Sequence, residues 1–294
     1  MTARAALAPL LLVAGLHAPA ALAQTAPGQA APAPHTPAEA PARPTGALQV
    51  SAAFANDNKP IRSGLVWRVF EERGEGPPAL VAKSDAVTPS WPLPPGSYLV
   101  HAAYGYASAS RRVLVSAGPV TERLAIGAGG LVVGGAVSDR PIPGNRLTFS
   151  VYVPVGTNSE GRLVVADAKG GEIIRLPEGA YHVVSTYGES NAIMRADLRV
   201  EVGKLTEATL NHRAATVTLK LVATPGGEAF AGCAFSVLTP GGDVIREAIG
   251  AFPSVTLAEG DYMLIARQEG QVYTREFKVE SGLDRDIEVL ATAK

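Results

Sequence analysis

Three octapeptides of one pattern decide the fold of this 294-residue chain: LPPGSYLV at 93–100, LPEGAYHV at 176–183 and LAEGDYML at 257–264. Each has a Leu, a Gly three residues later and a Tyr two residues after the Gly. From each Tyr onward, alternate residues are aromatic, aliphatic and small, which is the two-residue period of a strand with one buried face. The pattern therefore predicts one strand–turn–strand corner three times.

We interpret the corner residues as structural. The Leu would end one strand in the core, and the Gly would allow a tight backbone corner. The Tyr would begin the next strand with its ring buried and its hydroxyl near upstream backbone, as in the tyrosine corner of Greek-key sandwiches. The nine residues of the predicted corners are Leu93, Gly96, Tyr98, Leu176, Gly179, Tyr181, Leu257, Gly260 and Tyr262.

The similarity extends well beyond the corners. The blocks 79–98, 162–181 and 243–262 align without a gap. Downstream of each block a Val recurs, with a Gly three residues after it. A period of about 80 residues is too long for a solenoid repeat and suits a small β-sandwich. We predict an all-β chain of three tandem Greek-key, Ig-like sandwiches, over 47–129, 130–214 and 215–294.

Several stretches of these repeats resemble a known family. They are RPIPG (140–144), LTFSVYV (147–153) and LPEGAYHV, with KPIRSG (59–64), LVWRVF (65–70) and LPPGSYLV as counterparts. They resemble the carboxypeptidase-regulatory-like (prealbumin-like) β-sandwich domains of exported bacterial proteins, across nearly all of 47–294. The resemblance implies a seven-stranded, non-catalytic module, often attached to larger envelope proteins. The third repeat departs from it, with GEAFAG at 227–232 where the others have Pro-Ile.

The first 46 residues indicate export. Residues 1–23 have a positive start, an apolar run and a small-residue cleavage site, so they predict a signal peptide. A retained anchor is the alternative, although the apolar run is shorter than the ~20 residues that span a bilayer. Residues 24–46 are mostly Pro and Ala, and we expect a disordered linker. The periplasm is favoured over the extracellular space, with no integral membrane segment after cleavage.

Charge and composition argue against several classes of ligand. A net charge of −1 gives no electrostatic case for nucleic acid. The glycine-rich stretch at 126–137 lacks the Lys of a P-loop and the third Gly of a dinucleotide fingerprint, so we expect no cofactor. His101, His182 and His212 lack metal-ligand spacing, so no metal is expected. His101 and His182 fall at outward strand positions, and we expect them at the solvent or at an edge.

The single cysteine, Cys233, excludes a disulfide within the chain. Its parity with the neighbouring Phe235 predicts that it points into the third core as an inert thiol. A disulfide between chains is the alternative.

The candidate functional residues are tyrosines. Tyr104, Tyr106 and Tyr187 fall at predicted hairpin tips, where they could contact a sugar or a partner. Tyr104 and Tyr187 are also in phase with the inward face, so packing at the edge of the core is the other interpretation.

No catalytic residue is predicted. We expect a non-enzymatic exported protein that acts as a binding, spacer or scaffold module through its loops. Its partner would be an envelope protein or a glycan, with identity and oligomeric state left open. A carbohydrate-binding accessory module and a hydrolase with an unrecognised site are the alternatives.

Overall fold

A computed structural model of the chain describes residues 45–74, 76–156 and 158–291. These residues belong to one compact unit, Arg43–Lys294. The predicted signal peptide and almost all of the predicted linker lie outside the described residues. The all-β prediction is confirmed, because the described residues form strands with a single short 3-10 helix. No helix among them has the length and apolarity needed to cross a membrane.

The first sandwich has two sheets, in strand orders β4-β1-β7 and β3-β2-β5-β6, with β1 and β7 parallel. Their inner faces enclose one buried cluster that includes Trp67, Tyr98 and Ile126. Its strands are β1 (Gly46–Phe54), β2 (Leu65–Glu71), β3 (Ala79–Ser84), β4 (Ser90–Leu93), β5 (Gly96–Tyr104), β6 (Ala107–Val115) and β7 (Pro119–Ile126).

The second sandwich repeats this arrangement, with orders β12-β8-β15 and β11-β10-β13-β14 around a second buried cluster. It adds a two-residue strand, β9, which pairs with β8, and the 3-10 helix η1. Its elements are β8 (Ala128–Val137), β9 (Arg140–Pro141), η1 (Gly144–Arg146), β10 (Leu147–Val155), β11 (Asn158–Lys169), β12 (Ile174–Pro177), β13 (Gly179–Tyr187), β14 (Ile193–Val200) and β15 (Leu205–Asn211).

The third sandwich has orders β19-β16-β22 and β18-β17-β20-β21 around a third buried cluster. Cys233 is buried in this cluster with Phe235 and Val237. Its strands are β16 (Ala214–Val222), β17 (Ala234–Leu238), β18 (Val244–Ile249), β19 (Ser254–Ala258), β20 (Gly260–Gln268), β21 (Gln271–Val279) and β22 (Arg285–Leu290).

Strand register is the same in the three sandwiches. The corner Leu pairs with the start of the first strand each time, as Gly46 with Leu93, Gly129 with Leu176 and Ala215 with Leu257. At Gly129 the backbones approach so closely that a Cβ would lie 2.2 Å from the Glu201 carbonyl oxygen, which explains the glycine.

The connections between sandwiches are very short. One residue, Gly127, separates β7 from β8, and two residues separate β15 from β16. The glycine-rich stretch at 126–137 forms this connection and strand β8. The repeat boundaries drawn from the sequence stay predictions.

Candidate functional site: the junctions between sandwiches

The three corner tyrosines are part of the fold. The hydroxyls of Tyr98, Tyr181 and Tyr262 donate to the carbonyl oxygens of Pro94, Pro177 and Ala258, at 2.9, 2.8 and 2.9 Å. All three rings are buried in their cores. Burial raises the pKa of each phenol above its ordinary value, so these hydroxyls stay protonated at neutral pH.

Two of the three candidate rim tyrosines have an arginine over the ring where consecutive sandwiches meet. Tyr104 ends β5, and the Arg175 guanidinium of the second sandwich lies 5.1 Å from its ring centroid. Tyr187 ends β13, and the Arg146 guanidinium lies 5.0 Å from its ring centroid. The third, Tyr106, is 54% exposed. A cation over an aromatic face is attractive, so the two arginines hold these rings in place.

The first junction is formed by the tip of the β5–β6 hairpin. The Tyr106 amide donates to the Arg175 carbonyl oxygen at 2.9 Å. Gly105 has a φ of +63°, and a Cβ there would lie 2.6 Å from the Arg175 Cβ. Because the positive φ disfavours a side chain and the close approach leaves no room for one, glycine is required at this tip.

The second junction uses the equivalent tip of the second sandwich. Gly188 has a φ of +73°, and a Cβ there would lie 2.8 Å from the Thr256 Cβ. Arg146 bridges to the third sandwich, donating to the hydroxyls of Thr216 and Thr256 at 3.0 Å each.

The two junctions are built from equivalent positions. Arg175 and Thr256 each stand directly before the corner Leu of the sandwich that receives the tip. In both junctions a Tyr-Gly tip therefore packs against the equivalent short strand of the next sandwich, which is β12 in the first junction and β19 in the second. Because the same contact occurs at both junctions, we interpret it as a specific interface between consecutive sandwiches.

A second contact accompanies each tip. The Asn56 side-chain amide donates to the Val202 carbonyl oxygen at 2.9 Å, in the loop after β14. In the next junction Arg140 donates to the Gly282 carbonyl oxygen, in the equivalent loop after β21. Each pair of sandwiches is thus joined at two points as well as through the chain.

The tip of the third sandwich differs. Gln268 and Glu269 stand where the other two have Tyr and Gly. Glu269 keeps a positive φ of 48°, so the turn geometry persists although the Tyr-Gly pair does not.

Each sandwich exposes an apolar residue at an equivalent position of an edge strand, and β3 and β18 also expose Val81 and Ile249. Leu80, Leu163 and Val244 are 54%, 49% and 57% exposed on β3, β11 and β18. Each directly precedes the extra residue of a β-bulge, which lies at the same place in the ladder with the neighbouring strand in all three sandwiches. A bulge twists an edge strand so that its backbone pairs poorly with a strand of another molecule. A partner would therefore contact the exposed side chain at this position rather than the backbone.

Sequence reasoning missed a buried polar pair in the second sandwich. The Ser185 hydroxyl and the His212 Nε2 lie 2.7 Å apart, with the two residues 0% and 3% exposed. The hydrogen bond resembles that of a nucleophile and its base. Full burial of Ser185 denies a substrate access to it. The available signal was a polar residue, Ser185, at a position where the other repeats have Ala102 and Ala266.

The remaining candidate residues are placed as follows. His182 lies at the surface with its Nδ1 2.8 Å from Asp197. His101 is half-buried and its Nδ1 has no partner among the described residues. Burial and Arg68 lower its pKa.

Burial raises the pKa of the Cys233 thiol. Among the described residues, no group of three or more His, Cys, Asp or Glu side chains is arranged to hold a metal ion.

Comparison with known proteins gives one sequence match. The family described as the Rhizobiales growth-associated tandem repeat domain matches residues 216–291, which span the third sandwich. No curated protein matches the chain.

Solved structures give distant matches. The Bacillus anthracis TIE protein is 17% identical, with 85% of this chain and 51% of that chain covered and a TM-score of 0.25. The major pilin subunit BcpA of Bacillus cereus is 12% identical, with 84% and 100% covered and a TM-score of 0.23. The streptococcal ancillary pilin is 12% identical, with 85% and 100% covered and a TM-score of 0.30. This chain thus spans about half of the TIE protein chain.

Proposed function

We propose that the chain is a non-enzymatic exported spacer or scaffold, which holds three sandwiches in a defined mutual arrangement and presents their surfaces to an envelope partner. The observation that carries the proposal is the equivalence of the two junctions. A chain that only needed three independent binding modules would not need the same tip, glycine and receiving strand at both connections.

The chemistry of the candidate residues supports a structural role. The corner hydroxyls hydrogen bond to backbone carbonyls. The rings of Tyr104 and Tyr187 are each in a cation–π contact with an arginine. The Ser185–His212 pair is enclosed by its own sandwich. These groups stabilise the protein, and their positions leave them poorly suited to meet a substrate.

The exposed residues Leu80, Leu163 and Val244 supply the presenting surface in this proposal. Equivalent apolar positions recur on successive sandwiches, so a partner that contacts one edge would meet a similar edge on the next. Repetition of weak contacts raises the apparent affinity when a partner spans them.

A spin-label distance measurement tests the spacer role. Cysteines replace the exposed Ser110 of the first sandwich and Thr274 of the third, in a Cys233→Ala background, and pulsed electron resonance measures the distance distribution. We expect one narrow distribution, and a broadened one after Gly105→Ala and Gly188→Ala together. A broad distribution in the parent protein would contradict a spacer function.

Proximity cross-linking in intact envelopes tests the partner. We expect one reproducible protein partner for the mature chain. Recovery with the peptidoglycan or polysaccharide fraction instead would favour the carbohydrate-binding alternative, and Tyr106→Ala would then be the first variant, since that ring is exposed.

A further inference from the structure

The Ser185–His212 pair lies at the end of the second sandwich that faces the third. Ser185 is on β13, and His212 directly follows β15, one residue before Arg213 and two before β16 begins. The His212 ring packs edge-on against Tyr187, with ring centroids 5.9 Å apart. The pair is therefore next to the junction, and is separated from it by one aromatic ring.

The fold does not require a polar pair at these positions. The strand register places Ile126 of the first sandwich and Ala291 of the third at the position of His212. The first and third sandwiches thus have Ala102 with Ile126, and Ala266 with Ala291. Two of three equivalent cores close with apolar residues alone, so the pair serves something specific to the second junction.

His212 supports a loop that is longer than its counterpart. The β5–β6 hairpin turns in two residues, whereas β13 and β14 are joined by five, 188–192. The Tyr187 amide donates to the Ala192 carbonyl oxygen at 2.9 Å, which closes the loop. The Ala192 backbone also acts on the His212 imidazole, whose pKa it raises.

The added residues of loop 188–192 carry contacts to the third sandwich. The Asn191 amide donates to the Tyr262 hydroxyl at 2.9 Å, and its oxygen accepts from the Ala258 amide at 3.1 Å. Glu189 pairs with Arg246 at 2.7 Å. Displacement of this loop would therefore break contacts between the two sandwiches directly.

Burial in the core disfavours a positive charge on the His212 imidazole. Arg146 lies on the Tyr187 ring, and Arg213 is the next residue along the chain. The nearby carboxylates are engaged elsewhere, Glu189 with Arg246, Glu259 with Arg213, and Asp284 with the Thr216 amide. Burial lowers the pKa of His212 below its ordinary 6.5, opposed only in part by the Ala192 backbone.

We propose that Ser185, His212 and loop 188–192 form an acid-sensitive latch, which holds the second and third sandwiches together while His212 is neutral and releases the loop when His212 is protonated. Neutral imidazole uses one nitrogen as donor and the other as acceptor. The protonated ring has two donors, so the pair with Ser185 must rearrange inside a closed core.

The direction of the pH dependence follows from the lowered pKa. The open loop exposes an imidazole of ordinary pKa, which binds protons more readily than the closed one. The closed state is therefore fully favoured above pH 6.5, and it loses stability as the pH falls below that value.

Amide hydrogen exchange in the full mature chain tests the latch. The amide of Ala258 reports the loop contact, and rates are corrected for the intrinsic effect of pH on exchange. Its protection should fall between pH 7.5 and 5.0 by up to about thirtyfold, the limit that an ordinary imidazole pKa allows. The amides of Val183 in the core and Tyr106 in the first junction should keep their protection, which separates local release from global unfolding.

A matched variant assigns the effect to the pair. Ser185→Ala with His212→Ile reproduces the residues of the first sandwich, and the Ala258 amide should then show no acid response. His101→Gln, which removes the other histidine of lowered pKa, should leave the response intact. The proposal is wrong if parent Ala258 protection is equal at both pH values, or if the double variant responds like the parent. Should the double variant unfold, the parent comparison with Val183 and Tyr106 still decides.

Discussion

At the scale of single residues, the corner tyrosine makes different hydrogen bonds in different repeats. Tyr98 and Tyr181 each bond to one backbone carbonyl within their own sandwich. Tyr262 does this too, and it also accepts a hydrogen bond from Asn191 of the preceding sandwich. A hydroxyl conserved in position between repeats thus acquires a second partner only where the longer loop 188–192 reaches it.

Removing these hydroxyls should distinguish the hydrogen bond within a sandwich from the hydrogen bond across the junction. Tyr181→Phe loses one hydrogen bond and should cost about 1 kcal/mol of unfolding free energy. Tyr262→Phe loses the same bond and also leaves the Asn191 amide without its acceptor, so the cost should be larger. Denaturant unfolding followed by fluorescence gives both values, and equal costs would argue against a contribution of Tyr262 to the junction.

The Cys233 thiol should react slowly in the folded protein. It is buried and hydrogen bonds to the side chain of Gln268, and burial raises its pKa, so the reactive thiolate is scarce and enclosed. Absorbance with a chromogenic disulfide reagent at pH 8 should show little reaction until denaturant is added. Rapid stoichiometric reaction of the native chain would place the thiol at the surface and reopen pairing between chains.

At the scale of elements, hairpin tips and receiving strands determine how sandwiches connect. A tip of Tyr and Gly occurs where a sandwich follows, and its glycine lies against β12 or β19. The third tip has Glu269 at the glycine position, where a Cβ would collide if the same junction were made. Within the part of the chain that the structure describes, the two tips that form junctions therefore share a Tyr-Gly pair that the third tip lacks.

Glycine substitution should weaken a junction beyond the strain of the turn. Gly188→Ala places a methyl group at positive φ and against Thr256, so the cost combines about 1–2 kcal/mol of backbone strain with displacement of the third sandwich. Gly270→Ala is the matched control, because its φ is +79° and no described atom lies within 4 Å of an added Cβ. Amide exchange at Ala258 should accelerate in the first variant alone; similar acceleration in both would mean that strain, not contact, explains it.

At the scale of the whole molecule, three similar sandwiches repeat one exposed edge. The exposed ion pairs between sandwiches, such as Arg246 with Glu189, add little because water and salt screen them. The apolar residues Leu80, Leu163 and Val244 are therefore the more telling surface feature in the proposed scaffold.

Charging all three edges should remove a partner that uses them. Leu80→Lys, Leu163→Lys and Val244→Lys together should leave thermal unfolding nearly unchanged, since each side chain is exposed, and should reduce recovery of the cross-linked partner about tenfold or more. Exposed Leu114→Lys is a control for added charge on another strand. Undiminished recovery with the triple variant would move the partner site elsewhere.

The sequence by itself determined the class and the repetition. Two-residue alternation identifies strands because the pleat alternates side chains between faces, and the Leu-Gly-Tyr spacing marks the corner because a Gly and a buried ring are both needed there. The burial of Tyr98, Tyr181 and Cys233 was accessible in this way, since parity along a strand reports which face a residue occupies.

Only the tertiary structure decided what the tips and the histidine contact. Tyr104 and Tyr187 have the same parity whether they meet solvent, core or the next sandwich, and local pattern cannot distinguish these. The pairing of Ser185 with His212 joins strand β13 to the residue after β15, 27 positions along the chain, and such a contact depends on how two sheets pack. Periodicity describes one strand at a time, whereas a junction is a property of two folded bodies brought together.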